Sequence, residues 1–453
     1  MYIGKKAISA FLSFIIVFSF SPAVLASTTN PDPGDNLVLF EMRAYPSGVE
    51  GFIARLYDLV MGRQYDQEGL NYWVSQLDEG NMNASNIARY FFSCEEYYGI
   101  GYTLDEYLNV LYKVFFDRKP DTDGYNYWKS LVLDQGKTRR DVLEGFINSK
   151  EWANICLKYG VVSGTSVAPS DTKARSQGVV IFVSNLYSVV LGREADQAGL
   201  DFWCDNLTYM RDTAKTCAKG FYDSPEFSKL YSGMNDEARV KAFYKVFLGR
   251  DPEGEGLQFW MNEIKGKSTK DGINILYNGF ADSKEFKDIC KSNGIVVNMP
   301  SSAPAYKADP KVTISVSTSS GTQSITGYYD RELAIAIMDK TNAYRSSLGV
   351  GQVKVNAEII KATDIRCAET VVSFAHTRPN GSSFSTANPN YKTYSENLAA
   401  GTGKLDADTV VNLWKNSTNH NKNMINSQWT NIGVSVFIPD SGSYGTYIVE
   451  QFS

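Results

Sequence analysis

The first half of the chain places apolar and polar residues with the spacing of amphipathic helices. From about residue 49, apolar side chains recur at intervals of three and four residues, among them Phe52, Leu56, Tyr57 and Val60. This recurrence predicts a helix with one apolar face. A Gly-Arg-x-x-Asp-x-x-Gly stretch follows, and we expect it to turn the chain into a second helix that carries Trp73.

The same pattern occurs four times before residue 300. Each copy has a tyrosine, an arginine, an acid, a glycine and a tryptophan, and the tryptophan always stands ten residues after the arginine. The four sets are Tyr57, Arg63, Asp66, Gly69 and Trp73; Tyr112, Arg118, Asp121, Gly124 and Trp128; Tyr187, Arg193, Asp196, Gly199 and Trp203; and Tyr244, Arg250, Glu253, Gly256 and Trp260.

Two interpretations of these shared residues stay open. The arginine and the acid fit an internal pair that fixes the turn, or a ligand site. The aromatic residues fit a buried core, or a platform on which sugars stack. A calcium loop is disfavoured because no copy contains a D-x-D-x-D-G run.

A second mark, about 20 residues after each tryptophan, indicates how the copies are grouped. Ser149, Ser224 and Ser283 each precede a glutamate by two residues, which predicts helix N-caps. Copies two and four share Tyr-Lys-Val-Phe and both end on Ile-Cys, so the duplicated unit was a pair. We therefore predict a helical repeat pair at 36–162, a linker at 163–178 and a second pair at 179–297. A Ser/Pro/Thr-rich linker at 298–329 and a last domain at 330–453 complete the division.

The N-terminal segment indicates the cellular compartment, and the net charge limits the classes of possible partner. Lys5 and Lys6 precede a short apolar run, and the small residues ending at Ala26 predict a signal peptide at 1–26. No later run approaches the roughly 20 apolar residues of a transmembrane helix. A net charge of −5 argues against a nucleic-acid partner. Six cysteines in an exported chain permit disulfides, with about fifteen possible connectivities for a full set.

Candidate chemistry is confined to the C-terminal domain. The chain has two histidines, His376 and His420, and Glu396 and Asn397 lie between them. Imidazole titrates near neutrality and is a common metal ligand, although separations of 20 and 24 residues from Glu396 fit no local helix motif. Cys367 falls on a predicted helix, where we expect a buried residue rather than a nucleophile.

The order of short motifs around these residues resembles the CAP superfamily, also called the SCP-like domain, in its bacterial form. The motifs are Asn342-Ala343-Tyr344-Arg345, a helix start near Asn356, His376-Thr377-Arg378-Pro379-Asn380-Gly381, Glu396-Asn397-Leu398, Trp414 with Asn416-Ser417 and His420, and the strand-like Ile432-Gly433-Val434.

The CAP resemblance implies a three-layer α-β-α sandwich with a cleft. His376, Glu396 and His420 match positions at which family members hold a divalent metal, often zinc, and Asn397 and Ser417 are expected beside them. Ser417 stands where eukaryotic relatives have a second glutamate, so at most three protein ligands remain. Glu396 is the candidate base in any catalytic reading.

The repeats resemble the domain of unknown function 4214, a family found in exported bacterial proteins. The chain is thus expected to be an α+β multidomain protein, with two all-α helical repeat modules followed by the CAP sandwich. Three functions are open: a ligand-binding module, a metal-assisted hydrolase using Glu396, and a purely structural protein tethered to the envelope. We expect binding rather than catalysis, and a partner that is an envelope polymer, a lipid or a protein.

Overall fold

The computed structural model describes residues 45–171, 173–299, 310–403 and 405–453, and Tyr45–Ser453 form one compact unit. The predicted signal peptide at 1–26 and residues 36–44 of the first predicted repeat pair lie outside the described residues. No helix among the described residues is long and apolar enough to cross a membrane.

Each of the four sequence repeats folds into four short helices. Repeat one contains α1 (Gly48–Met61), α2 (Gln67–Asp78), α3 (Ala84–Phe91) and α4 (Glu95–Ile100). Repeat two contains α5 (Leu104–Leu111), α6 (Thr122–Leu133), α7 (Arg139–Ile147) and α8 (Lys150–Tyr159). Repeat three contains α9 (Gln177–Asn185), α10 (Gln197–Thr208), α11 (Ala214–Tyr222) and α12 (Pro225–Ser232). Repeat four contains α13 (Asp236–Phe243), α14 (Gly254–Ile264), α15 (Thr269–Ala281) and α16 (Lys284–Ser292). Helices α5, α9 and α13 each continue into one π-helical turn.

The residues shared by the repeats hold these helices together. The shared aspartate caps the second helix by accepting a hydrogen bond from the glycine N–H, as Asp66 does from Gly69 at 2.7 Å. A Cβ built on any of the four glycines would lie 2.3 Å from the hydroxyl of the shared tyrosine, so the tyrosine requires glycine there. The predicted serine caps are confirmed. The hydroxyl oxygens of Ser149, Ser224 and Ser283 each accept a hydrogen bond from the backbone N–H of the residue three positions later.

The shared arginine has a different main partner from the one predicted. In repeats one, three and four it pairs with a glutamate at the start of the fourth helix, and the shared acid lies farther away, at 3.5–3.9 Å. These pairs are Arg63–Glu96, Arg193–Glu226 and Arg250–Glu285. Arg118 alone is close to its shared acid, with 2.9 Å to Asp121. Each arginine also lies over the ring of the shared tyrosine, so its role is internal.

Each pair of repeats encloses one apolar core. One core runs from Phe52 to Val161 and the other from Val179 to Ile295. Phe52 of α1 contacts Trp152 of α8 with ring centroids 5.7 Å apart, which closes the first pair end to end. The shared tryptophans are less central than expected, because Trp128 and Trp260 are only half-buried.

The C-terminal domain has a six-stranded sheet in the order β1-β2-β5-β6-β4, with β3 paired to β5. Its strands are β1 (Val312–Thr318), β2 (Gly321–Tyr329), β3 (Lys354–Val355), β4 (Ser395–Gly401), β5 (Asn431–Pro439) and β6 (Thr446–Phe452). Its helices are α17 (Arg331–Ser347), α18 (Ala357–Val372), α19 (Ala407–Lys415) and α20 (Thr418–Met424). The predicted linker at 298–329 differs from the structure, because residues 312–329 form a hairpin that joins the sheet through β5.

Helices cover both faces of this sheet. Alternate residues of β5 and β6, such as Val436 and Ile448, pack with α17 and α19 on one face. Their neighbours, such as Phe437 and Val449, pack on the other face with Cys367 of α18. The result is three layers, α-β-α, and the predicted α+β architecture is confirmed. All six cysteines are free thiols, so none of the permitted disulfides forms.

Repeat pair one contacts the outer face of α17. The guanidinium of Arg139 on α7 donates to the buried carboxylate of Asp339, with Nε to Oδ2 at 2.9 Å. The ammonium of Lys340 donates to the carbonyl of Leu133 at 2.6 Å. A buried, bidentate ion pair of this kind fixes orientation more than it adds stability.

Candidate functional site

The candidate site lies along β4, which forms one edge of the sheet. Neighbouring residues of a strand point to opposite faces, so Glu396 and Asn397 are directed to different sides. Glu396 lies opposite Gln451 in the strand register, on the face covered by α18. Asn397 lies opposite Glu450, on the face covered by α17 and α20.

The carboxylate of Glu396 is completely enclosed. Its side chain is 0% exposed, and Arg366 of α18 donates to it from Nε at 2.9 Å and from a terminal nitrogen at 3.2 Å. Gln451 donates a third hydrogen bond at 2.9 Å, to Oε2, and Nδ1 of His376 lies 3.0 Å from Oε1, which also accepts the bond from the terminal nitrogen of Arg366. Both oxygens of Glu396 are therefore engaged by neighbouring side chains.

A chain of charges extends from Glu396 into the loop after α18. Arg366 also pairs with Glu369 at 2.8 Å, and Glu369 pairs with Arg378 at 2.7 Å. Arg366 and Glu369 are buried, so their charges must be matched by neighbours. Arg378 further donates to the carbonyl of Thr386, which fixes the loop that carries His376.

A second buried acid, Glu450, lies on the opposite face. Burial raises its pKa from 4.5 to about 7, although hydrogen bonds from Asn397 and Thr341, both 2.9 Å long, oppose that shift. Asn397 also donates to the backbone carbonyl of His420 at 3.2 Å and accepts from Asn423 at 2.8 Å. The role of Asn397 is thus to join the sheet to α20.

The two histidines lie on different elements, and His376 contacts Glu396. His376 is in the loop after α18 and its side chain is 55% exposed, with Nδ1 turned toward Glu396. His420 is on α20, and burial together with the nearby His376 lowers its pKa, which favours the neutral imidazole. Ser417 caps the start of α20 without a side-chain hydrogen bond, and it is half-exposed.

The predicted metal ligands fit an ion only in part. Among the described residues, no three His, Cys, Asp or Glu side chains are grouped so that they could share one ion. Ligation by Glu396 would require breaking its bonds to Arg366 or Gln451. Its position behind Nδ1 of His376 is instead that of a carboxylate which orients a ligating imidazole. The two remaining candidates, His376 and His420, are one short of the three protein ligands of an open zinc site.

Arg366, Glu369, Gln451 and Glu450 were not predicted from the sequence. Arg366 and Glu369 stand three residues apart on α18, which is the spacing of a helical ion pair. Nothing local connects them to Glu396, which is 30 residues away. Gln451 and Glu450 become neighbours of Glu396 and Asn397 only through the pairing of β4 with β6.

Family models match most of the described chain. Residues 45–100, 93–156, 175–231 and 218–290 match the Domain of unknown function (DUF4214), and residues 338–452 match the Cysteine-rich secretory protein family, CAP. The chain belongs to the DUF4214 family through its repeats and ends in a CAP domain. The predicted resemblance to both families, with four repeats followed by a CAP domain, is confirmed.

Individual relatives cover only part of the chain. The uncharacterized protein YkwD of Bacillus subtilis is 29% identical over 148 residues, 31% of this chain and 54% of that protein. The chain thus spans about half the length of this curated relative. An outer surface protein from Borrelia burgdorferi is 20% identical with a TM-score of 0.24, covering 28% of this chain and 98% of that one. A cysteine-rich secretory protein from Staphylococcus aureus is 16% identical with a TM-score of 0.21, covering 27% and 39%.

Proposed function

We propose that this is an exported bacterial surface or secreted protein whose DUF4214 repeats attach or space a CAP domain that binds a ligand. The cleft would lie at the edge of β4, between the loop of His376 and helix α20. The signal-like segment at 1–26 and the CAP domain together support export. In this proposal His376 and His420 contact the ligand, and Glu396 does not.

The state of Glu396 is the observation that carries binding rather than catalysis. A general base must reach the proton that it removes and must have a lone pair available. Glu396 is buried and accepts from Arg366, Gln451 and His376, so substrate and water are kept from its oxygens. The exposed imidazole of His376, oriented from behind, suits recognition of a polar ligand or an ion.

Zinc is the probe that tests the cleft. We expect purified protein to bind about one zinc ion in isothermal titration calorimetry, and His376→Ala or His420→Ala to abolish this binding. Glu396→Gln should weaken it about 10- to 100-fold if the carboxylate only orients His376, because that is the usual effect of losing such a partner. Unchanged zinc affinity in both histidine variants would remove the metal from the proposal.

The alternative function is a metal-assisted hydrolase. The Glu396→Gln variant distinguishes this function from ligand binding. We expect no turnover of generic peptide or ester substrates, with or without added zinc. A turnover that persists through purification and disappears in Glu396→Gln, while the circular dichroism spectrum is unchanged, would make the hydrolase the better description.

Export is tested by expression in a Gram-positive host. We expect the protein in the medium or on the cell surface, with a mature N-terminus at Ser27 by mass spectrometry. An intracellular protein that retains residues 1–26 would contradict the proposed location.

A further inference from the structure

One aromatic residue in each repeat has its side chain largely exposed to solvent. It stands immediately before the shared tryptophan, on the second helix of the repeat. The four residues, with their exposed fractions, are Tyr72 (51%), Tyr127 (55%), Phe202 (58%) and Phe259 (55%). An aromatic ring is therefore kept in solvent at the same position four times.

The fold does not explain this repetition. The shared tyrosine, arginine and glycine are engaged within each repeat, and the shared acid caps the second helix in repeats one to three. A single exposed aromatic side chain is ordinary on a protein surface. Four at equivalent positions, in copies that differ at most other surface positions, indicate a function that uses the ring itself.

The rings are held in a fixed orientation. Each one meets the neighbouring tryptophan edge to face, with centroids 4.9–5.1 Å apart and planes at 70–79°. In repeats two to four the tryptophan in turn lies over a glycine of the third helix, namely Gly145, Gly220 and Gly279. A ring that is ordered before binding loses little conformational entropy when a ligand covers it.

Short polar side chains flank each ring along its helix. The residue before the ring and the residue three positions after it are polar in every copy. These pairs are Asn71 and Ser75, Asn126 and Ser130, Asp201 and Asp205, and Gln258 and Asn262. Apart from the tryptophan that it meets, each ring is thus flanked at these two positions by polar side chains, unlike the continuous apolar centre of a protein interface.

The charge of the four helices that carry the rings limits the class of partner that could bind them. Helices α2, α6, α10 and α14 together carry seven acidic residues and one basic residue, Lys129. Three of these acids are paired with basic residues of other segments, Asp201 and Asp205 with Arg175 and Asp78 with Lys291, so the surface stays acidic but less strongly than this count. The acids are Glu68, Asp78, Asp123, Asp201, Asp205, Glu255 and Glu263. An acidic surface repels nucleic acids, anionic lipids and polymers of phosphate.

We propose that the four exposed rings are stacking sites for an uncharged polysaccharide. The face of an aromatic ring is electron-rich and attracts the C–H groups on the flat side of a sugar ring, while the flanking amides, hydroxyls and carboxylates bond its hydroxyls. A polymer presents the same unit many times, so four weak sites on one chain act together. This inference deepens the attachment role proposed above by naming the class of its partner.

Affinity electrophoresis tests the proposal with the whole protein. Soluble neutral polysaccharides, hydroxyethylcellulose and glycol chitin, are cast into native gels, and we expect at least one of them to retard the protein. Each single substitution, such as Tyr127→Ala or Phe259→Ala, should raise the apparent dissociation constant about three- to tenfold. The variant with all four rings replaced by alanine should migrate as it does in a gel without polysaccharide.

Tyr394→Ala is the matched control, because Tyr394 is an equally exposed ring (59%) outside the repeats. It should be retarded like the unchanged protein. Absence of retardation by both polymers, or retardation that survives loss of all four rings, would overturn the proposal. Binding to bacterial envelopes that needs the four rings but is removed by protease and not by glycosidase would identify a protein partner and would also overturn it. Zinc binding at His376 is measured on the same variants, so the polysaccharide inference and the proposed cleft can fail separately.

Discussion

The contact between the shared glycine and the shared tyrosine gives a sharp test of how the repeats are built. A Cβ added at Gly256 would lie 2.3 Å from the hydroxyl oxygen of Tyr244. The ring of Tyr244 cannot easily move aside, because Phe280 meets it at 4.8 Å and Arg250 lies over its face. We therefore expect Gly256→Ala to displace either the ring or helix α14.

The magnitude follows from two opposing effects. Alanine is favoured over glycine within a helix by about 1 kcal/mol. Overpacking a core costs about 1–3 kcal/mol, and the overlap here is more than 1 Å inside an optimal contact of about 3.5 Å. Because an overlap of this size places the overpacking cost in the upper half of that range, about 2–3 kcal/mol, we expect Gly256→Ala to lower the free energy of unfolding of the second repeat pair by about 1–2 kcal/mol. Gly254→Ala is the control on the same helix, since its Cβ would meet no atom within 4 Å, and it should be neutral or slightly stabilising.

Hydrogen exchange measured by mass spectrometry localises the effect to peptides of α13–α16, with the CAP domain as an internal reference. Tyr244→Phe removes the clashing oxygen and leaves the next ring atom at 3.4 Å from the new Cβ. The double variant should therefore be more stable than the sum of the single changes predicts. Equal protection in Gly256→Ala and Gly254→Ala, or strict additivity with Tyr244→Phe, would refute this explanation of the glycine.

Other changes test the cores and the acid beneath the sheet. Trp152→Ala removes a fully buried indole and should cost about 3–5 kcal/mol in a thermal melt, whereas Trp128→Ala should cost less because its ring is half-buried. Because the folded state raises the pKa of Glu450 from 4.5 to about 7, folding favours its protonated form. Stability should then fall by at most about 3 kcal/mol as pH rises through that interval, and Glu450→Gln should lose this slope in urea melts. Fragments 36–165 and 176–297 should each melt cooperatively in circular dichroism, and a cooperative melt of a single repeat would show that the pair is not the unit.

The sequence predicts the architecture correctly in two situations: where a hydrophobic pattern recurs along the chain, and where a short motif is typical of one structure, such as a helix N-cap. The helical period and the serine caps predicted the repeats, and Asn356 caps α18 as the sequence indicated. The Ser and Thr content of residues 312–329 is typical of a linker, whereas the alternation of their apolar residues is that of the hairpin observed. Val312, Ile314 and Val316 do alternate with polar residues, which is the period of a half-buried strand. Composition was the weaker signal there.

The candidate site shows why residues that are adjacent in the sequence can have different roles. Glu396 and Asn397 were expected to face one cleft together, yet the twofold period of β4 directs one toward α18 and the other toward α17 and α20. Glu396 consequently meets Arg366 and supports His376, while Asn397 supports the helix of His420. The two histidines thus receive their positions from opposite faces of one edge strand. A substitution of Glu396 should therefore change the position of His376 alone, and a substitution of Asn397 should change the position of His420 alone. The two effects are separate because neighbouring residues of a strand face opposite sides of the sheet.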